Sequence, residues 1–425
     1  MKGKLFTELR PLYSTSKERP DVIRIKIRMR DLIDQKALSH AVDTTMRRYP
    51  YFCVELQKDE KEKQYVFIEN HRPVIITNSL KGVELNSEAS NYHMIAFAWQ
   101  DNWIVLDIFH GMTDGAGAYE VIKTLLYYYC SERYNIQFHS RDGIRLSGDF
   151  ISEEEWIDPA AKSTNLPEPR QLDVPKALNL METAGLTESP SGIVYSVGIS
   201  EAEFMKFNVE NGGTPGTMVS LFLSRAIAKL FPDNKAPIRI TLCVNQRKAL
   251  NAPLAHHSLV GGVMLEYKEE MRYWPITKQI RAYRDSVSAQ TQEEIVLAGV
   301  AAQKKINQTI LSKETDQERT GVVAYIDNFA NQILTAVVSY VGKANYQEAE
   351  KYIRDFRLWT FKPVNRILIE ISVANGMFNL DFVQPFTSPI YVNAFLRELD
   401  ENGIDYDLKD VNELELPNIK VPWID

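Results

Sequence analysis

The sequence predicts an α/β fold, a two-layer α+β arrangement that occurs twice along the chain. Three observations point there. At 425 residues the chain exceeds the roughly 250–300 residues at which a single core stops growing. Strand-like and helix-like patterns alternate irregularly in both halves, as expected of helices packed on sheets. Between the halves, from 157 to 192, Pro159, Pro167, Pro169, Pro175 and Pro190 punctuate a polar stretch with little periodicity. The boundary is set there, giving subdomains 1–175 and 176–425. Leu172, Leu178 and Leu180 predict that the stretch is a crossover lying on the surface and not a free linker.

The first clear helix is IDQKALSHAVDTTMRRYP. Asp34 can cap it, Leu38, Ala41, Val42, Thr45 and Tyr49 recur at helical spacing, and Pro50 marks its end. YFCVEL and KQYVFIE read as strands around a charged, solvated turn at 58–64. YHMIAFAW and WIVLDIFH follow as a hairpin through Gln100-Asp101-Asn102. In the second of these, Ile104, Leu106, Ile108 and His110 share one face, and Trp103, Val105, Asp107 and Phe109 the other. A turn through Gly111–Gly115 leads into helix AGAYEVIKTLLYYYC, whose stripe is Ala118, Ile122, Leu125 and Tyr129.

The second half opens on strand GIVYSVGIS. Ser200 and Glu203 form a capping box for EAEFMKFNVEN, which Gly212-Gly213 closes. Helix TMVSLFLSRAIAKLF stops at Pro232, and strand PIRITLCVN runs into Gln246-Arg247-Lys248. Helices are expected near 275–292 and 292–312, then strand TAVVSYVG, a short helix, and strands RILIEISVA and MFNLDFVQ. The last helix starts at Ser388-Pro389 and stops at Gly403.

Composition narrows the function class. With 44% apolar and 25% charged residues the chain is an ordinary globular mixture. A net charge of −7 argues against nucleic-acid binding, which needs a basic patch or stripe, yet leaves room for local cations to hold an anionic co-substrate. Cys53, Cys130 and Cys243 are odd in number and widely spaced, so they make neither a disulfide framework nor a zinc pattern. They read as buried or half-buried thiols in a reducing compartment. MKGKLFTELRPLYS lacks the apolar core of a signal peptide, and no run approaches the roughly 18 apolar residues of a membrane span. The expectation is a cytoplasmic protein with no membrane span.

The chemistry concentrates in F-H-G-M-T-D-G, residues 109–115. A neutral imidazole accepts a proton near pH 7, and at the end of a strand it can project into a cleft. His110 is therefore the candidate general base. Asp114 can hold the turn, and Gly115 removes a side chain where the loop becomes a helix. The alternative for His110 is a structural histidine that caps a strand.

This H-x-x-x-D-G turn resembles the signature of the superfamily of chloramphenicol acetyltransferase, nonribosomal-peptide condensation domains, plant acyltransferases and alcohol acetyltransferases. Supporting segments occur in the same order: DLIDQKALSHAVDTTMRRYPYF, TPGTMVSLFLSRAIAKLF, CVNQRKAL and VSYVG. The resemblance spans nearly the whole chain, and only the histidine motif is specific. It implies two similar subdomains in a V around a tunnel, with the histidine midway along it. The acyl thioester arrives from one side and the acceptor from the other, and the acceptor attacks without an acyl-enzyme. It also implies a structural role for Asp114, paired with an arginine for which Arg247 in N-x-R is the candidate; the alternative for Arg247 is a solvated surface side chain. Where many condensation domains carry a second histidine this chain has Phe109, and LDFVQPF at 380–386 is a poor match to the plant D-F-G-W-G motif.

The implied co-substrate is acyl-CoA, with no permanently bound cofactor and no metal. The implied partners are a thioester and a small hydroxyl or amine acceptor. Two other readings stay open: a stand-alone condensation-type enzyme fed by a carrier protein, and a non-catalytic ligand-binding relative. The remaining candidates read as structural. His256 and His257 are adjacent and would point apart; Ser220 and Ser224 lie inside a helix without a nucleophile elbow. Gly212-Gly213 and Gly261-Gly262 lack phosphate-loop spacing, and Tyr127-Tyr128-Tyr129 reads as helix packing.

Overall fold

A computed structural model describes residues 4–5, 9–59, 61, 64–159, 166–169 and 173–424. Leu172 and part of the charged turn at 58–64 lie outside the described residues. The first half runs β1 (Lys4–Leu5), α1 (Arg10–Ser14), β2 (Val22–Met29), α2 (Gln35–Arg48), β3 (Val54–Asp59), β4 (Gln64–Glu69), β5 (Ile76–Thr77), β6 (Ile95–Gln100), β7 (Trp103–Phe109) and α3 (Gly115–Arg133). The second runs α4 (Leu180–Ala184), β8 (Ile193–Ser200), α5 (Glu201–Asn211), α6 (Pro215–Leu230), β9 (Ile238–Asn245), β10 (Val260–Tyr267), α7 (Ile276–Gln290), α8 (Glu293–Leu311) and α9 (Asp316–Ile333). It ends with β11 (Ala336–Tyr340), β12 (Ile353–Trp359), β13 (Ile367–Ala374), β14 (Met377–Gln384), α10 (Ile390–Glu401) and β15 (Tyr406–Glu413).

Two large sheets organise these elements. One has the order β12-β2-β7-β6-β5, the other β10-β9-β11-β13-β14-β8-β15, and β1-β4-β3 form a small third sheet. In the larger sheet β11 runs parallel to both β9 and β13, and the other pairings are antiparallel. Two large cores result. The first gathers β2, β6, β7, α2 and α3; the second gathers α6, α10 and one face of β8, β9, β11, β13 and β14. This is the predicted α/β class with two sheet-containing bodies. The halves are not sealed off by chain order, because β12, from beyond residue 175, completes the sheet of the first half by pairing with β2. The same strand packs against β13 and β14, so it forms the seam between the sheets.

Local sequence explains most of these elements. Asp34 caps α2 by accepting from the Ala37 amide at 3.0 Å, and Ala118, Ile122, Leu125 and Tyr129 are fully buried on α3. Ser200 accepts from the Glu203 amide at 3.4 Å to open α5, and Gly212 closes it with φ +72°. The reading along the chain omitted β1, α1, β2, β5, β10, α9, β12 and β15. It also read the whole 157–192 stretch as irregular. There Asn179 accepts from the Met181 and Glu182 amides and starts α4, which buries Leu180. The helix at the histidine motif runs on to Arg133. Among the described residues no helix is long and apolar enough to cross a membrane.

Candidate active site

Strand β7 ends one residue earlier than its pattern predicts, at Phe109, and His110 opens a short 3-10 turn to Met112. The His110 amide donates to the Asp21 carbonyl at 3.0 Å, just before β2, and its carbonyl accepts from Thr113 at 3.3 Å. These main-chain bonds turn the chain off the sheet and leave the half-buried imidazole at the wall of a cavity of about 120 Å³. The cavity lies between the two sheets. Ile23 and Leu358 line it from the first; Cys243, Asn245, Val337, Ser339, Leu368 and Glu370 line it from the second.

Asp114 caps α3, accepting from the Gly117 amide at 3.0 Å. Its carboxylate also receives both terminal nitrogens of Arg247, each at 2.9 Å, and the Leu259 amide at 3.0 Å. The rest of the Arg247 fork donates to the carbonyls of Ala255, at 2.7 Å, and His257, at 2.8 Å. Asp114 is 1% exposed and Arg247 8%, so the pair is a desolvated, two-pronged clamp and not a surface contact. It ties the turn after β7 to the loop after β9. Gly115 has an ordinary backbone, and its need is spatial: a Cβ there would come within 2.5 Å of Val341 Cγ2, just past β11. The glycine therefore lets the first turn of α3 close against the second sheet.

The polar groups of the second sheet stand in one row across its strands. Ser339, Glu370, Asp381 and Ser196 are successive register partners on β11, β13, β14 and β8. Burial pushes the Cys243 thiol up to about 12, so it is a thiol and not a thiolate at neutral pH. Burial also raises the carboxyl of Glu370 above its usual range. Sequence reading named His110, Asp114, Gly115 and Arg247, and all four line this cavity. It missed Glu370 and Thr360. The available signal for Glu370 was a lone carboxylate inside the aliphatic strand RILIEISVA.

His256 and His257 point to different partners. His256 Nδ1 lies 2.6 Å from the Tyr51 hydroxyl, which also donates to Glu155 at 3.0 Å; His257 Nε2 lies 2.6 Å from the Trp156 carbonyl. Thr113, inside the motif, donates to the His256 carbonyl at 2.6 Å. Burial, reinforced by the charges of Arg145, Arg247 and Arg48, pulls the His256 imidazole down to about 3. The folded state holds it neutral, whereas the unfolded chain protonates it below about pH 6.5. Its contribution to stability is therefore present above about pH 6.5 and lost as pH falls towards 3. His256→Gln is expected to lower stability most at pH 8, with the gap to the parent protein narrowing at pH 5. Urea unfolding at the two pH values measures it, and an unchanged gap would show that the imidazole does not titrate this way. Ser220 and Ser224 each donate to the carbonyl four residues back in α6, at 2.7 and 2.9 Å. Of the tyrosine run, Tyr129 is fully buried.

Two sheets joined by an exchanged strand, with a cavity between them, make the two-bodied α/β fold also seen in F. sporotrichioides TRI101 and in the first condensation domain of the CDA synthetase. No protein-family profile and no curated protein matches the chain. Among solved structures it is similar to polyketide synthase associated protein 5 from Mycobacterium tuberculosis, at TM-score 0.61 and 12% identity, over 94% of this chain and 96% of that one. It is also similar to F. sporotrichioides TRI101 complexed with coenzyme A and T-2, at TM-score 0.58 and 10% identity, over 96% and 99% of the two chains. The first condensation domain of the CDA synthetase aligns at TM-score 0.57 and 11% identity, over 94% and 95%.

Proposed function

We propose that the protein is an acyltransferase that moves an acyl group from a thioester, acyl-CoA, to a hydroxyl or amine acceptor, with His110 as general base. The observation that carries this reading is the placement of His110 on the wall of the cavity between the two sheets, on a turn held by the Asp114–Arg247 clamp. The imidazole takes the acceptor's proton as its oxygen or nitrogen attacks the thioester carbonyl. The carbon–sulfur bond then breaks, and the departing thiolate takes the proton back from the imidazolium. Asp114 and Arg247 act by positioning the turn that carries His110. The two halves, 1–175 and 176–425, are read as the subdomains, with β12 exchanged between them.

The solved relative with coenzyme A bound supports coenzyme A as the carrier. The likeness to a condensation domain favours, as the second reading, a donor held on a carrier protein. The three cysteines, none in a disulfide, fit a cytoplasmic protein. The test is thiol release from a panel of acyl-CoAs mixed with alcohols and amines, preceded by a thermal shift with coenzyme A. Coenzyme A is expected to raise the melting temperature, since it binds the folded state. Release only from an acylated carrier protein would favour the second reading. Neither binding nor release from any donor would defeat the enzyme reading.

A further inference from the structure

Glu370 is a carboxyl group that the fold has not satisfied. It sits in the middle of β13, whose alternate residues Ile367, Ile369, Ile371 and Val373 pack into the second core. Strand alternation turns Glu370 to the opposite face, where it lines the same cavity as His110 and is 3% exposed. Its Oε1 accepts from the Thr360 hydroxyl at 2.9 Å. Its Oε2 has no hydrogen-bond partner among the described residues. The Ser339 hydroxyl, directly across on β11, is near enough to favour the charged carboxylate but is not in hydrogen-bond geometry with Oε2.

Asp381, the register partner of Glu370 on the next strand, also has one oxygen, Oδ2, without a hydrogen-bond partner among the described residues, but its Oδ1 is met by the Ser196 hydroxyl and, at 3.1 Å, by the Arg357 guanidinium from β12, and it does not line the cavity. Among the described residues no lysine or arginine forms an ion pair with Glu370. A buried carboxyl that faces a largely apolar cavity with one oxygen unpaired carries a standing desolvation cost, which a ligand able to donate a hydrogen bond would relieve. His110, in its protonated form, favours the charged form of Glu370, so the two groups share one electrostatic environment.

Resting on the acyltransferase reading, we infer that Glu370 Oε2 recognises the acceptor, and that the acceptor carries a second hydrogen-bond donor beside its nucleophile. The substrate class is thus a diol or an amino alcohol, with one group presented to His110 and the other held by Glu370. A site built to pair such a donor discriminates against the analogue lacking it, because the Oε2 oxygen is then left buried and unpaired. Leu368, Val337 and Ile23 contact the carbon skeleton between the two ends.

The test pairs butane-1,4-diol, hexane-1,6-diol, octane-1,8-diol and the matching ω-amino alcohols with the monohydric alcohols of equal length. The readout is kcat/KM for thiol release, with acetyl-CoA or whichever donor proves active. The parent protein is expected to prefer the two-headed acceptor at the best length. Glu370→Gln, which keeps an oxygen for Thr360, is expected to reduce that selectivity ratio about 10–100-fold, the range for leaving a buried polar group without its hydrogen-bond partner. A parent protein with no preference at any length would overturn the inference without any variant having to fold. A variant that lowers both acceptor classes equally would also overturn it, since that is how a mere electrostatic partner of His110 behaves. Saturation-transfer NMR with hexane-1,6-diol and hexan-1-ol reads the same preference without turnover. The diol signal should depend on Glu370 even if the donor reading fails.

Discussion

His110→Ala is expected to release thiol from the active acyl donor about 10²–10⁴-fold more slowly than the parent protein, the range of a positioned general base. Its melting temperature should stay close to the parent's. The loss falls on kcat, because the imidazole moves a proton as the acceptor attacks, while the cavity wall that binds the acyl chain and acceptor remains. Stability should be spared because the turn at 110–112 is shaped by main-chain bonds to Asp21 and Thr113, which alanine preserves. The side chain is half-buried at a cavity wall. Single-turnover thiol release, with circular dichroism to check folding, measures both halves of the expectation. Equal release by the two proteins would remove His110 from the chemistry. A large fall in melting temperature would instead favour the strand-capping role.

The motif and the helices around it are legible in the sequence because each is a local pattern. A capped apolar stripe specifies α2 and α3, and the polar hairpin Gln100-Asp101-Asn102 specifies β6 and β7. The omitted elements depend on partners far along the chain. Strand β2, VIRIKIRM, alternates apolar residues with cations, as a strand with one face in water would. In the sheet it is a central strand, because Arg24 meets Asp107 of β7 at 2.7 and 2.9 Å and both are fully buried. Strand β12, IRDFRLW, hides its polar face in the same way: Arg357 pairs with Asp355 at 2.7 Å and with Asp381. Strand β15 lies at a sheet edge with its residues largely exposed and shows no apolar period, and β10 carries two glycines that weaken its strand pattern. Helix α9 did carry a local sign, the Thr315–Glu318 capping box. At the site, the partnership of Asp114 with Arg247 comes from resemblance and not from spacing, since 133 positions separate the two residues. Glu370 was hidden because its strand reads as uniformly buried, and only the packing of the second sheet shows which face opens on the cavity.

Asp114→Ala is expected to cost about 3–5 kcal/mol of stability, the range for breaking one partner of a buried ion pair. The reason lies in what is left behind. Arg247 keeps its bonds to the Ala255 and His257 carbonyls but loses both carboxylate oxygens while staying desolvated. The Leu259 amide and the Gly117 amide lose their acceptors as well. A charge without a partner is the larger part of this cost, so removing the charge should restore part of the loss. Asp114→Ala combined with Arg247→Leu is therefore expected to be more stable than the sum of the two single variants predicts, by an interaction energy of about 0.5–3 kcal/mol. Urea unfolding of the four proteins closes the cycle. Strict additivity would mean that the clamp does not act as a unit. Activity separates the clamp from a plain stability effect. If Asp114 and Arg247 hold the turn that carries His110, the double variant should regain stability without regaining turnover, because the leucine restores packing but not the bond that fixes where the imidazole stands.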